Sequence, residues 1–157
     1  MPLYFAYGSN LSPVQMAERC PGSVMAGRAV LAGWRFVITT TGTANIVAEP
    51  GGVVHGGLWH CDESHLLTLD GYEGVRVGAY RRLQVSVDHA DGAPREAIVY
   101  VSGRPHPGPA RLDYMLTAVL PGAEAFGLPA SHIAELRGWL PTDLPATLPE
   151  RYRGDIV

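Results

Sequence analysis

Near the N-terminus, Leu3-Tyr4-Phe5-Ala6-Tyr7-Gly8-Ser9-Asn10-Leu11-Ser12-Pro13-Val14-Gln15 is the stretch from which the fold is read. Its first five residues are apolar or aromatic and stop at Gly8, the pattern of a short buried strand that ends in a turn. Ser12 is a helix cap by type, Pro13 suits the first helical turn, and Gln15 stands where a capping-box partner reaches back. Val14, Met16, Ala17 and Cys20 carry the helix until Pro21-Gly22 stops it. Tyr7, Gly8, Ser9, Asn10 and Leu11 thus join a strand to a capped helix, and their backbone N–H groups can converge on an anion or a developing oxyanion. An ordinary strand-to-helix turn has the same signature. Ser9 is a nucleophile by type, but no Gly-x-Ser-x-Gly elbow surrounds it.

Beyond Pro21-Gly22 the apolar period shortens. Segments 29–31, 34–38, 45–47 and 53–59 read as strands between glycine turns. Asp62 caps a short helix whose His65, Leu66, Leu69 and Tyr72 recur at spacings of three and four along one face, with Gly71 and Gly74 ending it. Segments 80–87 and 97–101 form a hairpin about Asp91-Gly92. Helices follow over about 110–119 and 131–139, separated by Gly127-Leu128-Pro129, and 141–157 reads as an irregular tail. The order predicts one domain over residues 1–157 of α+β class. Its core is a small mixed β-barrel or strongly curved sheet, with short helices packed outside.

Composition removes several function classes. A chain of 157 residues with 46% hydrophobic and 17% charged residues is globular rather than disordered or membrane-spanning. The formal net charge of −3 leaves no basic field for a nucleic-acid backbone. All twelve basic residues are arginine, so a Schiff-base lysine and a P-loop lysine are both excluded. Cys20 and Cys61 are too few for a disulfide scaffold and read as free thiols in a reducing compartment. With no secretory signal in the first residues, a cytoplasmic location is expected.

Leu69-Asp70-Gly71-Tyr72-Glu73-Gly74 places two carboxylates three residues apart at a helix end, and spacing does not rank one above the other. Either is most simply solvated. If one is buried among apolar groups, its pKa rises toward neutrality and it can accept and then donate a proton. Arg76, Arg81 and Arg82 are candidates for meeting a substrate carboxylate. His55, His60, Cys61 and His65 do not make a metal set, because residues five apart on a strand point to opposite faces.

Together these segments resemble the gamma-glutamylcyclotransferase family. The likeness rests on the Tyr7-to-Leu11 loop, on Leu69-Asp70-Gly71-Tyr72-Glu73-Gly74-Val75 followed by Gly78-Ala79-Tyr80, and on Pro121-Gly122-Ala123 with Gly127-Leu128-Pro129. It covers most of the chain. The resemblance implies Glu73 as catalytic acid/base, Gly8, Ser9, Asn10 and Leu11 as substrate-binding backbone, and Tyr7, Tyr80 and Tyr114 as lining of the cavity. Tyr114 stands about one residue out of the family's spacing to Gly122, and His132 occupies a position where relatives commonly carry tyrosine. The implied reaction is closure of a small-molecule gamma-glutamyl substrate to 5-oxoproline with release of an amine, needing no metal or other cofactor. Nucleic acid and membrane are not expected partners. A pathway-specific enzyme that deprotects a gamma-glutamyl amine, and a non-catalytic binding module of the same fold, are the alternatives.

Overall fold

The structure, a computed structural model, describes residues 2–141. Apart from Pro141, the expected irregular tail at 141–157 lies outside the described residues. Five strands close a barrel. Strand β1 (Leu3–Ala6) lies between β3 (Ala44–His60), antiparallel, and β5 (Pro94–Val101), parallel. Strand β2 (Val24–Ile38) pairs antiparallel with β3 and with β4 (Arg81–His89), and β4 pairs antiparallel with β5. The expected mixed barrel is therefore present, with Phe5, Phe36, Ile38, Ile46 and Leu58 fully buried in its core.

The four short strands expected between 29 and 59 are two long ones. Gly27 and Gly33 do not end strands but take positive φ, +96° and +86°, where β2 slips register against β3, between Met25 and Arg28 and between Ala32 and Trp34. Such bulges bend a strand and raise its twist, which helps so few strands close into a barrel. The Asp91-Gly92 hairpin forms as expected between β4 and β5.

Helix α1 (Pro13–Arg19) starts on the Ser12 hydroxyl, which accepts from the Gln15 amide at 3.1 Å. The capping box does not close. The Ser12 N–H is already donated to the Ser9 carbonyl at 3.0 Å, so the Gln15 side chain turns to the Ser9 hydroxyl at 2.6 Å and to Asn10 Oδ1 at 2.9 Å. Helix α2 (Glu63–Tyr72) does have a reciprocal cap: Asp62 accepts from the His65 amide, and the Asp62 amide donates to His65 Nδ1. His65, Leu66 and Leu69 face the core as predicted. Tyr72 is instead 59% exposed, its ring 4.0 Å beneath the Arg19 guanidinium, and Gly71 lies within the helix.

The helix expected over about 110–119 is longer than predicted, whereas the one expected over about 131–139 forms close to its place. The first comprises α3 (Leu112–Tyr114), a π turn (Met115–Val119) and α4 (Leu120–Ala125), and the second is α5 (Ala130–Arg137). Here α4 packs directly on the N-terminal loop: a Cβ at Gly122 would lie 2.4 Å from the Leu11 carbonyl carbon, so only glycine lets the two backbones meet.

Candidate active site

A cavity of about 560 Å³ opens where the N-terminal loop, the end of α2 and the helical run converge on one side of the barrel. Its floor is the turn from Tyr7 through Asn10, whose Ser9–Leu11 segment is a single 3₁₀ turn. Glu73, Tyr80 and Tyr114 line the same space. Seven of the eight residues expected from sequence therefore converge. Leu11 is the exception: it is completely buried beneath the turn, its amide is donated to the Gly8 carbonyl at 3.1 Å, and it serves packing against Gly122.

Structure ranks the two carboxylates that spacing could not. Asp70 accepts two hydrogen bonds from Arg82, at 2.6 and 2.7 Å, and one from the Tyr100 hydroxyl at 2.7 Å. Burial opposes its ionisation, but these bonds outweigh it and hold the carboxyl below the usual range. Arg82 is thereby a structural partner of α2 rather than a substrate ligand, and neither Arg76 nor Arg81 lines the cavity. Glu73 caps the C-terminal end of α2, its amide donating to the Leu69 carbonyl at 2.8 Å. Among the described residues no hydrogen bond reaches its carboxylate. Burial raises its pKa to about 7, against the opposing pull of Arg19 and Arg104. A carboxyl poised there can both take and return a proton near neutral pH.

Tyrosines close the cavity around Glu73. Tyr7 donates to the Tyr100 carbonyl, Asn10 Nδ2 donates to the Tyr4 hydroxyl at 3.0 Å, and Trp59 Nε1 donates to the Asn10 carbonyl at 2.9 Å. The Ala44 peptide is held from both sides: its carbonyl accepts from Tyr80 at 2.8 Å and its amide donates to Tyr114 at 3.0 Å. Burial pushes the Tyr7, Tyr80 and Tyr114 phenols up, and the Glu73 charge adds to this, so all three are neutral hydroxyls at physiological pH.

Tyr114, out of the expected spacing to Gly122, nevertheless lines the cavity. A π turn accommodates one residue more than an α turn, and the one at Met115–Val119 lies between Tyr114 and Gly122. Across that turn Tyr114 reaches the cavity while Gly122 keeps its contact with Leu11. Gly8 depends on that placement, since a Cβ there would lie 2.8 Å from the Tyr114 hydroxyl.

Sequence reasoning passed over Arg19, Gln15, Thr43, Tyr100 and Arg104, all of which line the cavity. The spacing of Gln15 and Arg19 from Ser12 could have pointed to the face of α1 next to the loop. Nothing local marks Arg104, which a barrel strand delivers from a distant part of the chain. His132 does not line the cavity. It is 2% exposed, against His55 at 5.2 Å and Phe36 at 6.4 Å between ring centroids, and neither ring nitrogen has a hydrogen-bond partner among the described residues.

A barrel carrying a recessed glutamate of raised pKa beside an N-terminal glycine turn defines a class. The profile of the gamma-glutamyl cyclotransferase, AIG2-like family matches residues 4–116, and the chain belongs to that family. Among similar proteins are the gamma-glutamylcyclotransferases of Bos taurus, 29% identical over 99% of this chain and 87% of the relative, and of Homo sapiens, 28% identical over 99% and 87%. A solved structure titled gamma-glutamyl cyclotransferase superposes with a TM-score of 0.85 at 27% identity, covering 99% of this chain and 97% of the other. No helix among the described residues is long and apolar enough to cross a membrane.

Proposed function

We propose that this chain acts as a single-domain gamma-glutamylcyclotransferase in which Glu73 is the acid/base. The observation that carries the reading is one carboxyl group, its pKa raised to about 7 by burial and without a hydrogen-bond partner among the described residues, within a cavity floored by the Tyr7-to-Asn10 turn. In a gamma-glutamyl compound the α-amine and the γ-carbonyl belong to one molecule. Attack of that nitrogen on the γ-carbon forms the ring C–N bond of 5-oxoproline, and the bond from the γ-carbon to the departing amine breaks. The attacking ammonium loses two protons on becoming the ring N–H, and the departing amide nitrogen gains two on leaving as an ammonium. Ionised Glu73 takes the first to free the attacking lone pair, and by accepting from the ring nitrogen and donating to the departing nitrogen in turn it ends in its starting state. No enzyme nucleophile is needed.

Two effects supply the rate. Enforcing the folded shape of the substrate draws on the ~7–11 kcal/mol available to well-oriented intramolecular reactions. Positioned proton transfer adds about 10²–10⁴-fold. The turn amides and the hydroxyls of Tyr4 and Tyr114, which accept from Asn10 and from the Ala44 amide and so keep their own protons, are the donors for the substrate's carboxylate and for the oxygen of the tetrahedral intermediate. The test is incubation with a panel of gamma-glutamyl amino acids and amines while 5-oxoproline is measured. Product from at least one of them with wild type, and its loss in Glu73→Gln, is the expected result. Ligand binding without product across the panel would instead favour a binding module.

A further inference from the structure

Resting on the cyclotransferase reading, we infer that Arg104 is a specificity-determining residue that receives the carboxylate of the departing amine, so that gamma-glutamyl α-amino acids are preferred to gamma-glutamyl amines. The two substrate classes differ in one group: the first carries a carboxylate on each side of the scissile bond, the second only on its glutamyl half. Among the described residues three arginines line the cavity, and they are not equivalent. Arg111 has Asp113 beside it at 3.6 Å. Arg19 and Arg104 have no carboxylate within 4 Å among the described residues, and both act on Glu73 through space. Two uncompensated guanidiniums beside one carboxyl of pKa about 7 suit a ligand with two carboxylates.

The surroundings of the two arginines divide them between the substrate's halves. Arg19 belongs to the N-terminal turn, donating to Asn10 Oδ1 at 3.1 Å, and so to the glutamyl half held there. Arg104 leaves the barrel at the end of β5, on the side of Thr41 and Tyr80. Its backbone is anchored at both ends. Asn45, wholly buried, exchanges two hydrogen bonds with Ser102, at 2.8 and 2.9 Å, and the Thr40 amide donates to the Pro105 carbonyl at 2.9 Å. Among the described residues the guanidinium makes one hydrogen bond, to Thr41 Oγ1, and at 3.5 Å it is long, which leaves its planar fork available for a bidentate carboxylate.

The experiment compares kcat/KM for gamma-glutamyl-alanine and gamma-glutamyl-alaninamide, which differ only in that carboxylate, in full-length wild type, Arg104→Gln and Arg104→Lys. Arg104→Gln also alters the field at Glu73, but this acts on both substrates alike, so the ratio isolates the proposed contact. Wild type should favour the acid by about tenfold or more, Arg104→Gln should bring the ratio close to one, and Arg104→Lys should fall between them. A wild-type ratio near one, or an undiminished preference in folded Arg104→Gln, would overturn the assignment while leaving the cyclotransferase reading intact. Absence of 5-oxoproline from both substrates, and from the wider panel, would overturn the two together.

Discussion

Asp70 and Glu73 lie one turn apart at the end of α2, yet Asp70 has both carboxylate oxygens engaged by Arg82 and Tyr100 while that of Glu73 meets no hydrogen-bond donor among the described residues. The first carboxylate ties the helix to β4 and β5, and the second projects from that fixed end into the cavity. Asp70→Asn should therefore lower stability by about 1–3 kcal/mol, since it leaves a partly buried guanidinium with only the long, exposed Glu63 pair at 3.8 Å. It should reduce kcat more than it raises KM, because the carboxyl it misplaces moves protons rather than holding substrate. Denaturant unfolding and steady-state kinetics read the two effects.

Glu73→Gln should abolish 5-oxoproline formation by about 10² or more in kcat and at the same time stabilise the protein above neutrality. The native pKa of about 7 lies above the ordinary value of 4.5, so the folded state binds more protons between those limits and wild type loses stability as pH rises through them. The amide has no charge to bury. Its advantage should be on the order of 1–3 kcal/mol at pH 8 and vanish below pH 4.5, measured as unfolding free energies at the two pH values.

The acidic limb of the kcat profile should fall near pH 7, with activity rising as Glu73 ionises. Arg19 stabilises that charge, so Arg19→Gln should move the limb upward in pH. A limb at the ordinary glutamate position, or one that does not move, would separate Glu73 from the proton transfer.

Gly8→Ala should depress activity through Tyr114, because the added Cβ would lie 2.8 Å from its hydroxyl and 3.0 Å from the Ala44 Cβ. Removing that oxygen in Tyr114→Phe relieves the closer of the two clashes. The double variant should then lose less than the two single losses combined, a coupling read directly in a four-member kinetic cycle.

His132 provides an acid-side test. Burial lowers its pKa to about 4, so wild type keeps the full benefit of the neutral ring above about pH 6.5 and loses it as pH falls toward 4. His132→Phe removes both the titration and two unpartnered buried nitrogens. It should flatten the loss of thermal midpoint between pH 6.5 and 4, with unchanged kcat at pH 7.5 because the ring does not reach the cavity.

Local chemistry made much of this protein legible in its sequence. The apolar run stopping at Gly8, the Ser12 cap, the Asp62 cap and the Asp91-Gly92 turn each act within a few residues, and each forms where expected. Glycine turns did not announce their geometry: Gly27 and Gly33 bend one continuous strand instead of ending several, because positive φ serves a bulge as well as a hairpin. Tyr72 misled because a helical stripe records spacing but not where the covering surface stops.

What the sequence determined alone was the pair of segments, the Tyr7-to-Asn10 turn and the Asp70-to-Glu73 helix end, since capping and turn preferences are short-range. Tertiary structure decided which carboxylate is the acid/base candidate. Arg82 and Tyr100, remote in the chain, engage Asp70, and barrel closure brings Arg104 toward Glu73 from the far end of β5. Desolvation and through-space charge depend on what surrounds a group in three dimensions, and the spacing of two acids along one helix carries no record of it.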